Sequence, residues 1–505
     1  ERERERDQME DGFQAVVLDI GNAVTKVGYS NTESPAHMVP SIVSTIPGTA
    51  PRKSGYVSGA RKGERRRLRE RDRAREGERG VKAGQEALDD LQRPYRRVMD
   101  GHRVRDWRAW ETMVDHSMDL IGCDPAHHPV MFSRPLACPV SDTEAKAEYM
   151  LEALDVPYIY TQTDAVLGLY GSSRLSGVVV DVGASGTRCV PIYEGMQVPS
   201  STLMNDVGGD AILSHLHASL AKEGHLNSSA SSTFNSTLGS PGTSSSGAQA
   251  GYFGRVPKGR RGRVLCDAML RRECYISTNP EEDRRACEAT TILDREVTLP
   301  DGTLLTVGQE RFSCAEPLFD PSLVGSVSAP IQSLIRHSIQ RTERHLSTAG
   351  REGERQRQRG RDAEAKGGLG SDPLMTPSPT PDLGTDIAMD TDLTDATGGA
   401  PTLSTDEARA CVDQLCQNIV LSGGISTLPG MFSRLGSELQ AQGDINMSRA
   451  HTLTPSYGFV KVPERGYLPW KGGAVLASLP SFHPLWVSRE EWDEFGSNVM
   501  RRKCF

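Results

Sequence analysis

The feature that most constrains this chain is a duplication. "VVLDIGNAVTKVGY" (Val16–Tyr29) returns in kind as "VVVDVGASGTRCVP" (Val178–Pro191). Each copy is an apolar run that ends in Asp-x-Gly, a short turn and a returning strand. Two such hairpins predict two lobes that face one another across a cleft. Glycine turns leave backbone N–H groups open to a close-approaching phosphate. Asp19 and Asp181 would then flank a divalent cation, through water as magnesium sites usually do, and Lys26 would reach a phosphate as a point charge. A third element, "LSGGIS", brings Gly423 and Gly424 against a flat base or its α-phosphate. One Asp-x-Gly hairpin is weak evidence, since such an aspartate more often bonds its own turn. Two hairpins followed by strand-SGG-helix are much stronger.

Composition explains how such a fold is spread over 505 residues. Hydrophobic content is 37%, low for a uniformly packed chain, so compact parts are interrupted. Residues 1–12 are a Glu/Arg repeat read as a disordered extension. Residues 52–80 hold twelve Arg/Lys and five Asp/Glu, a net of +7. Residues 225–263 are Ser/Thr/Gly-rich and end in a basic cluster. Residues 341–407 begin Arg-rich, and 371–407 carry eight acids and no base. These tracts lack apolar periodicity and are expected as loop insertions, which tolerate length cheaply. Between them strands alternate with helices, which argues α/β. "YIYTQTDAVLGLYGSS" reads as strand then helix, "NIVLSGGISTLPGMFSRLGSEL" as strand, turn and helix, and "WKGGAVLASLPSF" as a helix started by its glycines. The ten cysteines form no CxxC pair, so reduced thiols are expected rather than a zinc site. No 18-residue apolar run occurs, so no membrane span is expected. The charged N-terminus does not read as a signal peptide. Asn227-Ser-Ser and Asn235-Ser-Thr match a glycosylation pattern inside a Ser-rich tract and are read as chance.

The hairpin, hairpin, SGG order is that of the actin, heat-shock chaperone and sugar kinase superfamily. Within it, "VVVDVGASGTRCVPIYEG", "LPDGTLLTVGQERFSCAEPLFDPSLVG", "PERGYLPWKGGAVLASLPSFHPLWVSREEWDEFG" and the terminus "RRKCF" resemble actin. The similarity runs through 14–46, 81–220, 264–340 and 411–505, and the insertions mark an actin-related protein rather than a conventional actin. The resemblance implies a duplicated actin-like ATPase fold with four subdomains around an ATP–magnesium cleft. Subdomain 1 is expected in 14–40, 99–171 and 469–505, and subdomain 2 in 41–98. Subdomain 3 is expected in 172–207 and 327–468, and subdomain 4 in 208–326. Asp19 and Asp181 match the metal-side aspartates and Lys26 the phosphate lysine. Gly21, Gly183, Gly423 and Gly424 match the close-approach glycines. Asn22 stands where actin has a serine that touches the γ-phosphate.

Other positions depart from the family pattern. Asp164 replaces the glutamine that positions the attacking water; a carboxylate there is either a general base or a repellent of the γ-phosphate. Ala184 replaces a second acid and Arg188 a histidine. Leu270 and Arg271 fall on the ribose-contacting lysine and glutamate, and Gly466 on the lysine that packs on adenine. The phosphate framework survives while sugar and base contacts erode, so ATP or ADP with Mg2+ is expected with little hydrolysis. Residues 52–80 replace the loop that grips the next subunit of a filament, which argues against ordinary self-assembly. Protein partners are expected in the apolar cleft between subdomains 1 and 3, marked by Tyr170 and "WVSREEWDEF". Contact of 52–80 with nucleic acid is weighed below a solvated loop. A cytoplasmic, cytoskeletal scaffold is the first reading. A non-filamentous subunit of a nuclear chromatin-remodelling complex is the alternative. A sugar kinase or chaperone ATPase is disfavoured by the actin-like terminus.

Overall fold

The computed structural model describes residues 14–44, 67, 70, 73–74, 80–90, 93–222, 260–298, 304–346, 405–441 and 457–504. The expected extension at 1–12, most of 52–80, and 225–259 and 347–404 lie outside them. The architecture is α/β with two large sheets of matching layout. In the first, His37–Pro40, Val24–Tyr29 and Val16–Ile20 pair antiparallel. Val130–Arg134 and Tyr158–Thr163 then follow in parallel, and Val487–Ser488 closes the far edge. In the second, Met196–Gln197, Thr187–Tyr193 and Gly177–Val182 are antiparallel. Ile419–Ser422 and Phe459–Val460 then follow in parallel. The sequence duplication is therefore a duplication of sheet topology.

The unbroken apolar runs follow from burial on both faces of each sheet. Val16 and Leu18 face an outer core with Trp110, Met113 and Phe132, whereas Val17 packs on Trp470 and Ala474. Val178, Val180 and Val182 face a second outer core with Ile212, Leu216 and Leu435, whereas Val179 packs on Val166 and Leu169. The inner layer is two helices, Asp164–Gly171 and Leu468–Ala477. The first carries the chain from the first sheet to the second, and the other brings it back. They cross where side chains are absent: a Cβ at Gly472 would overlap the Leu167 carbonyl, and one at Gly171 would lie 2.5 Å from Leu468 O.

That crossing corrects one expectation. The helix read as started by its glycines begins earlier, at Leu468, with Pro469 in its first turn. Gly472 and Gly473 lie inside it and serve the helix–helix approach. Other elements run into tracts read as insertions. The helix over 331–346 continues past 341 and buries Leu346, and Arg260–Arg272 is helical and brings Arg263 to the cleft. Trp107–Leu120 is a helix whose apolar face supplies Trp110 and Met113 to the outer core, with the Asp106 side chain accepting from Arg108 N as its N-cap. All ten cysteines are free thiols. Among the described residues no helix is long and apolar enough to cross a membrane.

Candidate nucleotide site

The two hairpins and the Ser422–Gly424 turn line one cleft of about 850 Å³. Asp19, Gly21, Asn22, Lys26, Asp164, Asp181, Gly183, Gly423 and Gly424 all reach it, so every expected site residue is brought together. The glycines are there for different reasons. Gly423 has φ +89°, and a side chain would also strike the Val182 carbonyl, so its own backbone demands glycine. Gly424 meets nothing within 4 Å, and a Cβ at Gly183 would make only ordinary contacts, the nearest at 3.5 Å. Internal packing does not require glycine at these two positions, and both face the cleft, where a side chain would narrow the approach of a phosphate. Ser422, the register partner of Asp181, stands at the start of the Ser422–Gly424 turn. It lines the cleft, yet its hydroxyl is buried with no hydrogen-bond partner. These features fit a nucleotide's phosphates.

The charged groups obey the same register in both hairpins. Asp19 lies opposite Lys26, and Asp181 lies opposite Arg188. Lys26 Nζ donates to Asp19 Oδ2 at 2.7 Å, and Ser133 Oγ donates to Asp19 Oδ1 at 2.5 Å. Arg188 donates through one terminal nitrogen to Asp181 Oδ2 and pairs through the other with Asp164 Oδ2 at 2.8 Å. Burial pushes the Asp164 carboxyl up to about 6, with Asp181 and Asp19 adding to the rise and Arg188 opposing it. Burial alone would lower the Arg188 guanidinium, but Asp164 and Asp181 outweigh it and hold the group charged. Each of the two aspartates expected to flank a divalent ion is thus engaged by an in-chain cation, Asp19 by Lys26 and Asp181 by Arg188. No group of three or more His, Cys, Asp or Glu side chains suited to a metal occurs among the described residues.

Asn22 Nδ2 donates to Gly101 O at 2.7 Å, tying the first hairpin to the turn between Met99–Asp100 and Arg103–Val104. Leu270 is buried in the second core, and Arg271 pairs with Asp267 at 2.8 Å one helical turn away; all three line the cleft, as does Gly466. Neither a lysine nor a glutamate stands at 270 or 271 to hold a ribose.

Sequence reasoning missed the mouth of the cleft. Arg97, the last residue of the first lobe's short strand Tyr95–Arg97, which pairs with Ile42–Ser44, makes a two-pronged ion pair with Asp210. Asp210 opens the helix Gly209–Lys222 of the second lobe, and Arg263 reaches it too, at 2.5 Å. The Asp210 bond holds the Arg97 guanidinium above its ordinary value. Arg97→Ala removes this bridge between lobes. A charge-assisted pair of about 1–2 kcal/mol corresponds to a 5- to 30-fold rise in local opening. Amide hydrogen exchange over 95–104 and 209–222 is expected to rise by that factor; unchanged protection would show that the bridge does not hold the lobes together.

The family model for actin matches residues 10–349 and 380–505. The chain belongs to the actin family. The fold it shares generally binds ATP or ADP with Mg2+.

Proposed function

We propose that this actin-family protein holds ATP or ADP between its two hairpins, hydrolyses it weakly or not at all, and acts as a scaffold for protein partners. The observation that carries the reading is the pair of glycine-edged hairpins, with Lys26 in the same cleft. Gly21, Gly183, Gly423 and Gly424 let the phosphates approach, Lys26 supplies charge, and Asn22 is placed beside the first turn. Weak hydrolysis is supported by Asp164. Its carboxylate is tied to Arg188, so it is not free to orient a water as an unpaired base.

The scaffold role is supported by apolar side chains left in solvent beside the returning helix. Val475, Leu479 and Leu485 are exposed, and Tyr170 is partly so. An amphipathic partner helix would cover such a strip between the expected subdomains 1 and 3. The reading places the protein in the cytoplasm, beside rather than inside ordinary filaments. Within the charged 52–80 run, Arg73 pairs with Asp119 at 2.7 Å, which supports a run that meets the protein's own acids rather than nucleic acid.

Heat release of nucleotide from protein purified from its own cells, followed by chromatography, tests the reading. ADP or ATP near one per chain is expected, with added ATP turned over slowly. An empty protein, or rapid turnover, would contradict it. Stable co-purification with a helicase-bearing nuclear complex would move the scaffold to the nucleus.

A further inference from the structure

Arg188 is to the second hairpin what Lys26 is to the first. Each lies directly across its own hairpin from the Asp-x-Gly aspartate, and each engages that aspartate's Oδ2. Strand register fixes both cations at the edge of the cleft, and both line it. A quarter of the Arg188 side chain remains accessible (25%). A guanidinium has five N–H donors, and the two carboxylates use only some of them, so others are available to phosphate oxygens. The cluster therefore holds three carboxylates, Asp19, Asp164 and Asp181, against two tethered cations. Were residue 188 uncharged, the same carboxylates would face Lys26 alone, a net negative cluster that would favour a divalent ion held through water. With the guanidinium between Asp181 and Asp164, a divalent ion would meet a like charge and carboxylates already paired.

We propose that Arg188 is a built-in cation for the nucleotide's phosphates and that nucleotide binds this chain without needing a protein-held divalent ion. The proposal rests on the nucleotide reading above and adds to it a residue and a metal-independence. It predicts how affinity responds to chelation, a readout separate from hydrolysis.

The test titrates the stripped, full-length protein with ADP and with ATP, in excess magnesium and in excess EDTA. The wild-type affinities are expected to agree within about threefold. Arg188→His, which restores the imidazole the family pattern has there, is expected to bind at least about tenfold more tightly with magnesium than with EDTA. Arg188→Gln, which keeps hydrogen bonding without charge, covers the case in which the histidine variant fails to fold; it is expected to lose about tenfold or more in EDTA. A wild-type affinity that falls tenfold or more on chelation overturns this proposal and leaves nucleotide binding standing. So does an Arg188→Gln variant that binds in EDTA as the wild type does. No binding by the folded wild type in either condition overturns both readings.

Discussion

Lys26→Met is expected to weaken nucleotide binding by roughly 10- to 150-fold and to destabilise the fold at the same time. The first effect is the loss of one charge-assisted bond to phosphate, about 1.5–3 kcal/mol. The second comes from Asp19, which is 6% exposed and has Lys26 as its partner cation. Removing that cation leaves a buried carboxylate with Ser133 alone, at a cost of about 3 kcal/mol. Calorimetric titration and thermal melting read the two effects separately. A variant that melts lower but binds ATP as tightly as the wild type would show that Lys26 serves Asp19 and not a phosphate.

Gly472→Ala is expected to be the most damaging single methyl in the inner layer. The added Cβ would overlap the Leu167 carbonyl oxygen, which belongs to a helix backbone and cannot rotate aside. The two inner helices would have to separate, at about 3 kcal/mol or more, with a fall in thermal midpoint of several degrees. Neighbouring positions give the controls. A Cβ at Gly473 would sit 3.0 Å from a Val17 methyl and 3.3 Å from Met131 Sδ, side-chain atoms with some room to yield, so Gly473→Ala should cost less. Val475 is exposed on the same helix, and Val475→Ala should change stability by about 0.5 kcal/mol or less. Equal effects at 472 and 473 would contradict the close crossing. Since both connections between the sheets pass through this crossing, loosening it should also loosen the cleft.

The parts of the fold legible in the sequence were those written in local pattern. "VVLDIG" and "VVVDVG" announce doubly covered strands, and a turn of fixed length sets which residues oppose each aspartate. Asp181 opposite Arg188 could have been counted off the hairpin in the same way as Asp19 opposite Lys26. The pattern instead named Arg188 only as a replaced histidine, because a family comparison attends to what is missing. The bridge of Arg97, Asp210 and Arg263 had no local signal. Its members are 113 and 53 residues apart and meet only once both lobes are built. The glycines of "WKGG" carried a true signal, close approach, that a single sequence renders as a helix start. Ser422 looked like part of a glycine turn, and its buried, partnerless hydroxyl is visible only in three dimensions.

Calorimetric titration of the nucleotide-stripped full chain with ATP and with ADP asks whether the paired hairpins hold a nucleotide. One site per chain is expected, with a Kd of roughly micromolar or tighter that Lys26→Met weakens by roughly 10- to 150-fold. A demonstrably folded protein that gives no heat and no thermal stabilisation at millimolar nucleotide would contradict it, and the paired hairpins would then be features of shape alone.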